Sequence, residues 1–324
     1  MSTKSNLLRL LEQHRGTYLS GQELAERLQI SRAAVCKAIR TLKKEGHQIA
    51  SVTNKGYCLS DENDILSEEG ILQHLASAPT QLFVYKTVDS TNQVAKKMAL
   101  DQAPHSAIVL AEEQTAGRGR MGRPFYSPPS SGIYMSFVLR PNLTGSDSVL
   151  ITTAAAVAVC RAIEQVTGLQ PGIKWVNDLY LNGKKICGIL TEAITDFETG
   201  GIEALILGIG INFSANPTFP IELQQKADAL FEKKPAGVTR NQIAAAVIAN
   251  VLALCQNLQN RSFIKEYRQR SIILGKQIQV LQGGHTQPAT ALDIDENGGL
   301  IVQYANSTTT LNSGEISIRG DFLS

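Results

Sequence analysis

Apolar residues early in the chain recur three and four positions apart, which gathers them on one side of a helix. Residues 4–14 carry Leu7, Leu8, Leu10 and Leu11 in this way. Ser20 and Glu23 have capping-box spacing, so a second helix runs to about Leu28 with Leu24, Ala25 and Leu28 inward. After a turn at Gln29 and Ile30, Ser31 caps a third helix with Val35, Ala38, Ile39 and Leu42 on its apolar face, and Gly46 ends it. Gln48–Val52 and Tyr57–Leu59 flank Thr53-Asn54-Lys55-Gly56 and predict a small hairpin. From about 80 to 270 strand and helix patterns alternate. Strands are expected at Leu82–Lys86, Ala107–Glu112, Gly132–Leu139 and Glu203–Asn212, with a hairpin over Lys174–Gly188 turning at Asn182-Gly183. Helices are expected at Ser90–Leu100, Val149–Gly168, Asn241–Gln259 and Ser262–Arg270. Beyond 271, short alternating runs broken by Gly283-Gly284, Asn297-Gly298-Gly299 and Ser313-Gly314 predict a small barrel.

The first order of elements is that of a winged helix-turn-helix, and the alternating region is that of an α/β domain. The expected organisation is a head over residues 1–62, a polar linker and short helix over 63–79, a central domain over 80–270 and a barrel over 271–324. The third helix would present Ser31, Arg32, Ala33, Cys36, Lys37 and Arg40 outward, and Lys55 would stand at the wing tip. Charge sharpens that picture. Residues 1–60 hold ten Lys and Arg against four Glu, while the whole chain is only +2, so a basic head precedes an acidic body. Such a head fits nucleic acid, although an ordinary solvated face or a protein-binding module has the same pattern. The opening segment lacks an apolar run of signal-peptide type, and Ile243–Cys255 is too short to span a bilayer, so a soluble cytoplasmic protein with no membrane partner is expected. Five cysteines without a CxxC pair and five scattered histidines fit reduced thiols and no structural metal.

Candidate chemistry centres on Gly117-Arg118-Gly119-Arg120-Met121-Gly122-Arg123. The run fits G-x-G-x-x-G, but a dinucleotide fingerprint needs a helix next, and Pro124 with Pro128-Pro129 forbids one. What remains is a glycine loop whose arginines can bind phosphate bidentately, or else a solvated basic loop. In Lys174-Trp175-Val176-Asn177-Asp178, two polar residues sit among apolar neighbours. Lys185 follows on a strand, with Gly188 leaving room for a ligand, although a lone lysine there is more often a surface residue. Gly208-Ile209-Gly210-Ile211-Asn212 is an apolar strand that permits close approach, and Asp89-Ser90-Thr91-Asn92 places short polar side chains at a helix start.

Together with Gly-Glu-Ile-Ser around Glu315, these segments resemble the bacterial biotin protein ligases of the bifunctional biotin operon repressor type, over nearly the whole chain. The family usually has Pro where this chain has Val176, which removes no functional group. The resemblance implies an α+β multidomain fold: the winged head, a ligase domain with a mixed sheet, and an SH3-like C-terminal barrel. It implies an ATP-dependent biotin–[acetyl-CoA-carboxylase] ligase that forms biotinyl-5'-AMP with magnesium, transfers biotin to a lysine of the biotin carboxyl carrier protein, and represses biotin biosynthesis genes as a homodimer on operator DNA. It further implies that Ser90, Thr91, Asn92, Gln114, Arg118, Gly119, Arg120 and Lys185 contact biotin, with Lys185, Arg118 and Arg120 catalytic. Arg123, Asn177, Asp178 and Asn212 would lie on the nucleotide side, and Phe213–Leu223, with Phe219 and Ile221, would be an adenine-side loop. Two rivals are a lipoate ligase, which would lack the winged head, and a transcription factor that only senses biotin, which would not need phosphate chemistry.

Overall fold

The computed structural model describes residues 2–140, 148–195, 201–220, 222, 226–282, 285–312 and 315–318. The chain divides into two compact units, residues 1–78 with 234–246, and residues 79–233 with 247–324.

The first unit holds α1 (Thr3–Gln13), α2 (Gly21–Leu28), α3 (Arg32–Lys44), β1 (Ile49–Val52), β2 (Gly56–Leu59) and α4 (Glu68–Leu72). Each helix starts where a serine hydroxyl takes a free backbone N–H: Ser2 from Ser5, Ser20 from Glu23, Ser31 from Ala34 and Ser67 from Gly70. The expected capping box is only half made, because the Glu23 carboxylate pairs with Arg27 at 2.7 Å. Gln29 turns left-handed at φ 53° and ends α2, so α3 starts after a tight turn. The helices close over Leu7, Leu11, Leu24, Val35, Ile39 and Leu42, while Leu10 and Leu28 pack at the margin. The wing has a third strand-like partner, since Leu19 and Tyr57 exchange both backbone hydrogen bonds at 2.9 Å. Gly56 is required there: its φ is 104°, and a Cβ would overlap the Leu19 carbonyl.

The polar linker ahead of the expected short helix is not a free segment. Asn63, Leu66, Ser67 and Ile71 are buried, and the helix is confined to α4. Asn63 Oδ1 accepts from Gln48 N at 3.0 Å. Asp64 accepts from the backbone N of Arg240 at 2.7 Å and from its Nε at 3.0 Å, and Asn241 takes the Ile65 carbonyl at 2.9 Å. Polar residues were buried because distant polar groups satisfy them, which local sequence does not disclose.

In the second unit, β3 (Gln81–Val88), β4 (Ala107–Gln114), β5 (Gly132–Leu139), β6 (Gly172–Lys174), β7 (Asp178–Leu181), β8 (Lys184–Thr195) and β9 (Ile202–Asn212) form one sheet in the order β3-β4-β5-β9-β8-β7-β6. It is mixed: β3 and β4 run parallel and every other pair is antiparallel. Among the described residues its α-helices are α5 (Thr91–Leu100), α6 (Ser148–Thr167), α7 (Arg240–Gln256, whose first turns belong to the other unit) and α8 (Phe263–Arg270). Glu192 of β8 bonds Asn92 and Lys96 of α5, whereas its neighbour Thr191 bonds Thr152 of α6. Adjacent strand residues point to opposite faces, so α5 and α6 cover opposite sides of the sheet. Among the described residues α6 is the one helix long and apolar enough to cross a membrane, and 72% of that stretch is buried inside the protein.

The C-terminal strands β10 (Gln277–Gln282), β11 (His285–Ile294), β12 (Leu300–Gln303), β13 (Thr308–Leu311) and β14 (Glu315–Ile318) make a five-stranded antiparallel sheet around Ile278, Val280, Ala291, Leu300 and Val302. Asn297-Gly298-Gly299 is a turn there, while Gly283-Gly284 and Ser313-Gly314 lie outside the described residues.

Candidate active site

The site begins with missing side chains. Gly188 of β8 pairs with Gly210 of β9, and Leu190 with Gly208, so three glycines leave a hollow in the sheet. A Cβ on Gly208 would overlap Asn92 Oδ1, and one on Gly210 would stand 2.5 Å from the Phe125 ring. A cavity of about 180 Å³ lies over this floor. Its lining gathers Ser90, Thr91, Asn92, Gln114, Arg118, Gly119, Arg120, Arg123, Asn177, Asp178 and Lys185 from segments spread over nearly a hundred residues.

One end of the cavity is neutral and closely bonded. Gln114 Oε1 accepts from the Thr91 backbone N at 2.8 Å and from its hydroxyl at 3.1 Å, and Gln114 Nε2 donates to Ser127 Oγ at 2.8 Å. Buried Ser136 lies 2.7 Å from Thr91 Oγ1 and 2.6 Å from Asn92 Oδ1, and its single proton serves one of them at a time. Asn92 Nδ2 donates to Glu192 at 2.7 Å, and Lys96 pairs with the other oxygen of Glu192 at 2.5 Å. Both amide atoms of Asn92 are thus engaged within the protein. Ser90 precedes α5 without a side-chain capping bond.

The other end is charged. Lys185 and Asp178 form an ion pair at 2.7 Å with side chains 30% and 22% exposed. Arg120 Nη1 donates to Asn177 Oδ1 at 3.0 Å, and Asn177 Nδ2 donates to the Ile189 carbonyl at 2.9 Å. Burial, with a smaller contribution from the Asp178 charge, pushes the Tyr180 hydroxyl up to about 12. Cys187 is fully buried and its thiol is pushed up by that burial, so it stays protonated and is no nucleophile. The arginine loop folds on itself: Gly119 N donates to the Arg123 carbonyl at 2.7 Å and Phe125 N to the Gly117 carbonyl at 2.9 Å. Arg118 and Arg123 are exposed, and Met121 at the tip is 75% exposed. A cavity with neutral hydrogen-bonding groups at one end and three arginines and a lysine at the other suits a polar ring system joined to an anion.

Asn212 is placed apart from the other nucleotide-side residues. It lines a second cavity of about 240 Å³ with Lys184, Asn216, Phe219 and Asp228, and its amide donates to the Asp228 carbonyl at 2.9 Å. Gly208, Gly210 and Asn212 alternate along β9, so both cavities open on one face of the sheet. Phe125 and Tyr134 partition them, with ring centres 6.4 Å apart. Ile221 and Leu223 lie outside the described residues. Phe125, Ser127, Ser136 and Glu192 had no signal of their own in the sequence, because each becomes a site residue only through a partner far along the chain.

In the first unit, Arg32, Ala33, Lys37 and Arg40 of α3 are exposed, as is Lys55, whose ammonium lies 5.9 Å from the Tyr18 ring centre. Ser31 uses its hydroxyl as the α3 cap. Cys36 is a correction to the expected outer face: it is half-buried, with Sγ 3.2 Å from the Tyr57 hydroxyl, and serves as a contact between α3 and the wing.

Residues 84–212 match the model of the biotin/lipoate A/B protein ligase family, residues 3–58 an HTH domain, and residues 273–319 the biotin protein ligase C-terminal domain. The chain is 33% identical to the bifunctional ligase/repressor BirA of Bacillus subtilis, over 97% of this chain and 98% of that protein. It is 29% identical to the biotin–[acetyl-CoA-carboxylase] ligase of Mycobacterium tuberculosis, over 78% of this chain and 95% of that one. The biotin protein ligase of Aquifex aeolicus, solved in complex with biotin and ATP, superposes with a TM-score of 0.61 at 25% identity, covering 75% of this chain and all of that one.

Proposed function

Because this chain belongs to the biotin protein ligase family, in its bifunctional ligase and repressor form, we propose that it joins biotin to AMP and passes the biotinyl group to a lysine of the biotin carboxyl carrier protein of acetyl-CoA carboxylase. The observation that carries this reading is the single cavity that joins the Thr91–Gln114 end to Arg118, Arg120 and Lys185. The neutral end suits a ureido ring, which offers two N–H donors and one carbonyl. The charged end suits a carboxylate beside a triphosphate.

The chemistry needs a negative carboxylate to approach a negative α-phosphorus. Lys185, Arg118 and Arg120 reduce that repulsion and stabilise the crowded phosphoryl oxygens of the transition state. Asp178 holds Lys185 and Asn177 holds Arg120, which fixes the positions of both cations in the cavity. Magnesium bound to ATP would neutralise charge on the departing pyrophosphate, and Asp178 is the lining carboxylate that would face it. The product, biotinyl-5'-AMP, is a mixed anhydride that water destroys, so the Gly117–Arg123 loop acts as the cover that excludes solvent. The second cavity, with Asn212 and Phe219, takes the adenosine. A lysine amine of the carrier protein then attacks the acyl carbon, and AMP leaves.

The basic head acts as a repressor of biotin biosynthesis genes, with Arg32, Lys37 and Arg40 against operator DNA and Lys55 reaching a phosphate. Two copies would place two α3 helices on a palindromic site. Among the described residues β8 beyond Ile189 pairs with β9 alone, which supports pairing of two sheets edge to edge. All five cysteines are free, which fits the cytoplasm.

The test is direct. Incubated with ATP, magnesium, biotin and a carrier domain, the full chain should add one biotinyl mass to the carrier lysine. An unmodified carrier, or a preference for lipoate in competition, would reject the reading. Affinity for operator DNA should rise when biotin and ATP are present.

A further inference from the structure

Asn177 and Asp178 hold the two cations placed above at the phosphorus; Asp178 opens β7, and Asn177 follows Trp175 and Val176 in the short connection from β6. β8 holds Asn177 through the N–H and carbonyl of Ile189, whereas Trp175 and Val176 are held from farther away. The indole N–H of Trp175, 3% exposed, donates to the carbonyl of Gly298 at 2.9 Å. The hydroxyl of Tyr267, fully buried on α8, donates to the carbonyl of Val176 at 3.1 Å. Burial holds that phenol far above its ordinary range, so it remains a donor at every physiological pH.

Gly298 belongs to the turn between β11 and β12. Asp295 ties that turn by accepting from Asn297 N at 2.8 Å and Gly299 N at 2.7 Å. Gly298 has a φ of 83°, and a Cβ there would sit 2.9 Å from the Thr153 side chain of α6, so the turn is seated against α6 where only glycine fits. Arg268, next to Tyr267, donates to the Ile294 carbonyl at 2.7 Å and pairs with Glu296 at 2.7 Å. Two consecutive residues of α8 therefore grip two things: Tyr267 the catalytic segment and Arg268 the C-terminal turn.

The geometry points to a brace: the β11–β12 turn and Tyr267 are positioning elements that set Asn177 and Asp178, and through them Arg120 and Lys185, for the adenylation step. This inference rests on the proposed ligase reading for its kinetic consequence. It gives the C-terminal sheet a role that requires no contact of its own with substrate. The physical case is that each hydrogen bond lies in a dry interior, where the carbonyl has no water to replace a lost donor. Loss of either would let the segment drift, and small displacements at a phosphoryl-transfer site are costly in rate.

The experiment uses the full chain and biotin-dependent exchange of pyrophosphate into ATP. Tyr267→Phe keeps the ring and removes only the donor. It should lower kcat by roughly tenfold or more while KM for biotin stays close to that of the unaltered protein. Asn177→Ala should also be slow, and adding Tyr267→Phe to it should cost little more, because the brace acts through Asn177 and its neighbour. Fully additive losses, or a loss of activity that merely follows a fall in Tm, would overturn the proposal. A second readout does not depend on activity. Trp175 is the single tryptophan of the chain, so its indole N–H gives one resolved NMR signal. That proton should exchange slowly with solvent, and Arg268→Gln, which loosens the turn, should speed its exchange. An indole proton equally protected in Arg268→Gln would sink the brace. If the unaltered protein showed no biotin-dependent exchange, the ligase reading would fail while the indole signal would still decide the brace.

Discussion

Gly208→Ala and Gly210→Ala add the same methyl group to the same strand two residues apart, and the structure assigns them opposite consequences. At Gly208 the new Cβ overlaps Asn92 Oδ1. Asn92 is 4% exposed, sits on the first turn of α5, and is bonded to Ser136 and Glu192, so it has nowhere to move. Overpacking of about 1–3 kcal/mol adds to two disrupted hydrogen bonds at about 1 kcal/mol each. The sum is roughly 3–5 kcal/mol, which in a unit of this size corresponds to about 10 °C in Tm. At Gly210 the Cβ meets the Phe125 ring at 2.5 Å, but that ring is half-exposed on the arginine loop and can swing aside. The stability cost there should stay below about 1 kcal/mol, while displacement of the loop should raise KM for biotin steeply. Thermal melting with biotin-dependent pyrophosphate exchange separates the two. A rescue sharpens the test: Asn92→Ser in the Gly208→Ala background makes room and should restore much of the lost stability. The reasoning is refuted if Gly208→Ala melts within about a degree of the unaltered protein, or if Gly210→Ala proves the more destabilising of the two.

Three further outcomes are expected. Lys185→Ala should abolish adenylate formation and leave Tm nearly unchanged, because a pair that is 30% and 22% exposed contributes only about 0–1 kcal/mol; near-normal exchange activity would reject its role. Asp64→Ala removes the carboxylate that pairs with the guanidinium of Arg240, 1% exposed, and should destabilise the first unit by about 3 kcal/mol as read by hydrogen exchange in α1–α3. His47 and His74 are both held below their ordinary 6.5 by burial, so the unfolded head takes up protons first as pH falls through that value. Stability of the head is therefore full above pH 6.5 and declines below it, and denaturation at pH 7.5 and 5.5 should show the loss, flattened in His47→Gln; a head equally stable at both values contradicts it. Burial raises Glu12 from 4.5, which acts in the opposite sense closer to that value.

Much of the site was legible as short segments. Ser90–Asn92, the arginine loop, Asn177-Asp178 and Lys185 each carry their residue types within a few positions, and all of them line one cavity. Asn212 shows the limit of that kind of reading. The resemblance groups it with Arg123, Asn177 and Asp178, whereas in the structure it lines a second cavity, with Phe125 and Tyr134 between the two. Cys36 shows another, since helical spacing put it outward and the wing, which no helical period describes, folded back to meet it.

The sequence by itself determined what depends on neighbours a few residues away. The serine caps, the helical period of the head, the Asn182-Gly183 turn and the proline stop after the arginine loop all follow from local backbone preferences. Tertiary structure alone decided the register that sets Gly188 opposite Gly210, the entry of Phe125 over the glycine floor, the fastening of residues 63–67 by Arg240 and Asn241, and the contact of Trp175 with Gly298. These join groups as far apart as 176 residues, and no local preference selects one such partner over another. Only the packing of whole elements does, because it determines which buried donor finds which acceptor.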